Sequence, residues 1–115
     1  MRELLAALVT GATTFLASQT FAAEPPGRLD CGKPANAAEA RICADATLVG
    51  LHNTMLQHYR SVERRIRPRS DVASFVADQA RWTERRNTCR ATACLVAAYR
   101  QRIETLESYA VIRDD

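Results

Sequence analysis

"LVGLHNTMLQHYRSVERRIRPRSDVASFVADQARWTERR", residues 48–86, carries two helical periodicities separated by one proline. In the first part Leu48, Leu51, Met55, Tyr59, Val62 and Ile66 recur at steps of three and four, which lays them along one helix face. Pro68 ends that helix, because proline lacks an N–H and drives the residue before it out of helical geometry. Ser70 and Asp71 begin the next helix, a hydroxyl as cap and a carboxylate near the positive end of the dipole. Its inward face reads Val72, Phe75, Val76, Gln79, Trp82 and Arg86. The short break "RPRS" implies that the two helices pack antiparallel as a hairpin.

Working outward from the hairpin, "NAAEARIC" places Asn36 as an N-cap with Glu39 three residues on, the capping-box spacing. A short helix to about Ala44 follows, and Asp45 or Thr47 caps the long helix after it. Downstream, a helix from about Thr92 carries Leu95, Tyr99, Ile103 and Leu106. Strand-like alternation, Gly-rich loops and internal repeats are absent from the sequence. The expected fold class is all-α: a small disulfide-stapled helical bundle of about four helices, built on an antiparallel helical hairpin.

The N-terminus, "MRELLAALVTGATTFLASQTFAAEPP", has a basic residue, a weakly apolar run and small residues leading to Ala22 and Ala23. Those are the parts of a secretory signal, and the run is too short and too broken to span about 30 Å of hydrocarbon. "GRLDC" lacks the small residues of a lipidation site, and no later stretch is apolar enough for a membrane span. The expected organisation is a signal peptide over 1–23, a linker over 24–30, a helical domain over 31–109 and a frayed tail over 110–115. The mature part keeps the formal charge of +3, since Arg2 and Glu3 leave together. A domain of this size buries a modest share of its surface, so cross-links matter to its stability.

Four cysteines are available: Cys31, Cys43, Cys89 and Cys94. Structural zinc favours closely spaced C-x2-C pairs and a redox relay favours C-x-x-C, and neither spacing occurs here. In an exported chain the sulfurs act as staples. If the chain reverses near Pro68, all four fall at one end of the bundle, and three connectivities are open. The local pairs Cys31–Cys43 and Cys89–Cys94 are favoured, while the crosswise pairings stay geometrically open.

The combined pattern resembles the LprI-type lysozyme-inhibitor family over about residues 31 to 106. It is carried by Cys31, then Glu39-x-x-Ile42-Cys43-Ala44-Asp45, Leu48-x-x-Leu51 and Tyr59. It continues as Gln79-x-x-Trp82-x-x-x-Arg86-x-x-Cys89, then Cys94-Leu95-x-x-x-Tyr99-x-x-Arg102-Ile103-x-x-Leu106. The resemblance implies an exported, all-helical, disulfide-bonded envelope domain, and by its name one that binds and inhibits lysozyme; another glycan hydrolase is a further candidate partner, and no cofactor is expected. It also marks Glu39, Gln79, Trp82, Arg86, Tyr99 and Arg102 as motif residues with a structural role. One departure stands out: His52 follows Leu51 where the family pattern has an aspartate. Arg86 must then find its carboxylate elsewhere, and Glu39 on the first helix is the expected partner.

For the other polar residues the favoured reading is internal. Gln79 is expected to bond backbone at a helix crossing, and Arg86 to satisfy carbonyls at the cysteine end. The competing reading leaves Trp82 and Arg86 exposed as binding anchors, residue types enriched in interface hot spots. His52 and His58 lie about 120° apart around a helix, so one metal ion does not see both. No nucleophile has an evident histidine partner, so an enzyme is not expected. "RSVERRIRPRS" gathers Arg60, Arg64, Arg65, Arg67 and Arg69 around the single acid Glu63. Its favoured reading is a solvated hairpin tip near a helix C-terminus, and its functional reading is a candidate anion-binding patch. Nucleic acid is a poor candidate, since no aromatic residues interleave with these arginines. A mildly basic chain is not drawn by long-range charge to a strongly basic lysozyme, so inhibition would rest on local features. The candidates are Glu104 or Glu107 on the last helix, or the rigid cysteine corner.

Overall fold

The computed structural model describes residues 28–67 and 72–114. The signal peptide, most of the linker, Pro68, Arg69 and the expected Ser70–Asp71 cap lie outside the described residues. Four helices are present: α1 (Ala37–Cys43), α2 (Ala46–Ile66), α3 (Val72–Arg86) and α4 (Thr92–Asp114). Helix α4 therefore extends through residues 110–114, the segment expected to fray.

Local chemistry accounts for the helix starts. Asn36 Oδ1 accepts from the Glu39 N–H at 2.9 Å, and Glu39 Oε2 accepts from the Ala35 N–H at 3.0 Å. The reciprocal half of the capping box thus lands one residue before the cap. Asp45 opens α2, its Oδ1 accepting from Thr47 N at 2.9 Å and Leu48 N at 3.2 Å. The donors satisfied here have no partner within their own helices.

Cross-helix contacts define the topology. Gln79 Nε2 meets Met55 Sδ at 3.3 Å, and the Phe75 ring stacks on Tyr59 at 4.7 Å between centroids. Position rises along α2 as it falls along α3, so the pair is antiparallel, as the hairpin reading requires. The same reversal relates α3 to α4, with Trp82 Nε1 donating to Ala98 O and Arg102 Nε to Gln79 Oε1. Helices α2 and α4 consequently run parallel, and they approach each other more closely than either approaches α3. That follows from the side chains α3 turns inward: Phe75, Gln79, Trp82 and Arg86, all large and all buried.

The apolar core is Leu48, Met55, Tyr59, Val62 and Ile66 from α2, Phe75 and Trp82 from α3, and Leu95, Tyr99 and Leu106 from α4. Ala38 and Ile42 of α1 close it at one end. Both disulfides sit at that end: Cys31–Cys43 ties the entering chain to the end of α1, and Cys89–Cys94 braces the α3–α4 corner. The Cα–Cα distances are 5.4 and 5.5 Å, and among the described residues no cysteine is free. The local pairing is therefore the observed one. No helix among the described residues is long and apolar enough to cross a membrane.

Candidate functional site

The polar motif residues do not reach the surface; they meet inside the bundle. At the cysteine end Arg86 is fully buried and Glu39 nearly so, and Arg86 Nη2 donates to Glu39 Oε1 at 3.1 Å. The same guanidinium donates to Asn87 Oδ1 from Nη2 at 2.8 Å and from Nε at 3.1 Å. Its Nη1 donates to the Tyr99 hydroxyl at 3.3 Å, and that oxygen lies 2.9 Å from His52 Nδ1. A neutral imidazole meets that hydroxyl as donor or as acceptor according to its tautomer. Burial, reinforced by the Arg86 charge and opposed by Glu39, holds the His52 pKa down at about 4. Burial likewise pushes the Tyr99 hydroxyl above its ordinary range, with Arg86 working against the shift.

A second layer lies one helical turn further on. Arg102 donates from Nε to Gln79 Oε1 and from Nη1 to Asp78 Oδ2, both at 2.8 Å. Trp82 bridges the layers, edge-on to Tyr99 at 5.3 Å and 5.8 Å from the Arg86 guanidinium carbon. Beyond it the core is aromatic, with Phe75 between Tyr59 and Tyr109.

This arrangement agrees with the favoured internal reading and with the Glu39–Arg86 pairing, and it corrects two of the bonding partners. Glu39 is the carboxylate partner of Arg86, as expected. Gln79, however, bonds two side chains rather than backbone, because it faces Met55 and Arg102 at the centre of three helices. Arg86 bonds Glu39, Asn87 and Tyr99 rather than helix-end carbonyls, since α1 brings a carboxylate within reach. Trp82 and Arg86 are 4% and 0% exposed, which agrees with the favoured internal reading and removes the competing one of exposed anchors. Reading apolar residues alone also placed Leu51 and Ile103 in the core stripes, where His52 and Arg102 are the buried residues. A strict alternation of four and three steps finds them. It runs 48, 52, 55, 59, 62, 66 in α2 and 95, 99, 102, 106 in α4.

With these groups committed to the interior, the outer faces remain. Arg60, Arg64, Arg65 and Arg67 are exposed on α2 and at its end, and Arg67 pairs with Glu63 at 3.6 Å. Arg60 and Arg64 have no carboxylate partner among the described residues. Glu107 faces His58 at 3.4 Å, and Glu104 is exposed. No group of three or more His, Cys, Asp or Glu side chains among the described residues is placed to hold a metal.

A groove runs between α3 and α4 on the face away from α2. It holds two adjoining hollows of about 290 and 210 Å³ that share Trp82, Arg85 and Gln101. The first lies over Ala97, Ala98 and the Cys89–Cys94 disulfide. The second is bounded by Asp78, Arg102 and Thr105. No family model, curated protein or solved structure matches the chain.

Proposed function

We propose that this chain is an exported binding protein of the LprI type, a rigid scaffold that inhibits lysozyme or another glycan hydrolase by occupying it. The observation that carries the reading is the joining of Glu39, Gln79, Trp82, Arg86, Tyr99 and Arg102, with His52, into two linked buried layers. Those side chains are thereby committed to the interior, which leaves recognition to the outer faces. The two disulfides support export, since such bonds persist mainly in oxidising compartments. Periplasm or the extracellular medium is the compartment that reading calls for.

The test is a titration of the oxidised mature protein into a cell-wall turnover assay with several lysozymes. Loss of turnover near stoichiometric protein is the expected result; full turnover at large excess removes the reading for the enzymes tried. A second reading is a non-inhibitory envelope module that meets an acidic partner through the arginine-rich end of α2. Arg60 and Arg64, exposed and without a carboxylate partner among the described residues, favour it.

A further inference from the structure

The α3–α4 groove has more positive than negative charge to offer, and its charges are unequally committed. Asp78, the only carboxylate bounding the inner hollow, is already shared between Arg102 at 2.8 Å and Arg81 at 3.9 Å. Arg85 bounds both hollows, is exposed, and has no carboxylate partner among the described residues. Arg102 is 4% exposed and is held in place through Nε by Gln79 and through Nη1 by Asp78.

We propose that this groove is a docking site for an acidic side chain of a partner protein, with Arg85 as the principal cation and the Asp78–Arg102 pair as its backing. This deepens the reading of the chain as a binding protein and rests on it. Several features select that occupant. Planar guanidinium donors suit a carboxylate, and Arg102 already holds Asp78 through Nη1 at 2.8 Å. An inner hollow of about 210 Å³ admits one side chain rather than a folded element. Ala97 and Ala98 beside it keep the wall low, so a partner backbone can approach α4.

The experiment titrates a hexaglutamate peptide into the oxidised ¹⁵N-labelled chain and follows the indole N–H of Trp82, the single tryptophan, together with the arginine Nε–H signals. A saturable shift at Trp82 and Arg85 is expected. Arg85→Glu weakens it about tenfold, as does Gln101→Glu, which fixes a carboxylate in the groove. Arg64→Glu makes the same charge change outside the groove as Arg85→Glu and leaves the affinity within about twofold. The proposal is overturned by no saturable shift, by equal weakening from Arg64→Glu, or by inorganic phosphate at matched ionic strength giving the same response. Undiminished lysozyme inhibition by Arg85→Glu overturns the groove as the partner surface and leaves the inhibitor reading standing. A wild-type protein that binds the peptide but inhibits no lysozyme does the reverse.

Discussion

Arg86 and Glu39 lie 47 residues apart in sequence and form a buried ion pair of 3.1 Å that joins α3 to α1. Helix α1 has only seven residues, too few for an isolated helix to persist in water. The ion pair and the buried Ala38 and Ile42 hold it on the bundle, while the Cys31–Cys43 bridge ties the entering chain to its end.

Removing one partner strands the other charge in the interior. Glu39→Gln or Arg86→Met is expected to destabilise the fold by about 3–5 kcal/mol, whereas a double replacement by apolar residues recovers part of the loss. Urea unfolding of the three variants measures this. An unchanged midpoint for Glu39→Gln removes the ion pair from the account.

His52 makes stability depend on pH in a defined direction. Its folded pKa of about 4 lies below the ordinary 6.5, so between those values the unfolded chain binds more protons than the folded one. The His52 contribution is complete above about pH 6.5, falls as the pH drops toward 4, and amounts to about 3 kcal/mol. Unfolding free energies at several pH values in this window, for wild type and His52→Leu, test the sign. A slope that survives the substitution unchanged assigns the effect to other groups.

Much of this fold is legible in the order of residues. Asn36 and Asp45 announce two helix starts because a short side-chain oxygen can satisfy nearby N–H groups, a purely local event. The hairpin and the local disulfides follow from chain reversal and short loops. The polar layers were harder to read, since a rule that seeks apolar residues passes over His52 and Arg102 in favour of Leu51 and Ile103. Which side chain Gln79 would bond was illegible for a different reason. Its partners, Met55 and Arg102, lie on two other helices, so the choice depends on how all three pack.

Tyr59 keeps its hydroxyl buried without a hydrogen-bond partner among the described residues, and burial, with Glu63 adding to it, pushes its pKa up to about 12. Tyr59→Phe removes an unsatisfied polar atom while preserving the stack on Phe75. Stability is expected to hold or to rise by up to about 1 kcal/mol. Spectrophotometric titration checks the pKa: wild type shows two tyrosines ionising late, Tyr59 and Tyr99, and the variant shows one.

The bridges differ in the length of chain they close, with sequence separations of 12 and 5. Chain entropy alone makes loss of Cys31–Cys43 the more damaging by about 0.8 kcal/mol, within a typical 2–4 kcal/mol for each bridge. Paired Cys→Ser variants compared in urea measure the difference, and a chelator is expected to leave the melting temperature unchanged. Chelator sensitivity would mean that the sulfurs hold a metal.

The central claim is that a sealed, sulfur-braced interior leaves the outer faces free to engage a lysozyme-class enzyme. Calorimetric titration of the oxidised mature protein against such an enzyme tests it most directly. The account predicts a saturable one-to-one complex that Arg85→Glu weakens without lowering the melting temperature. Absence of any heat of binding with every lysozyme tried would contradict it.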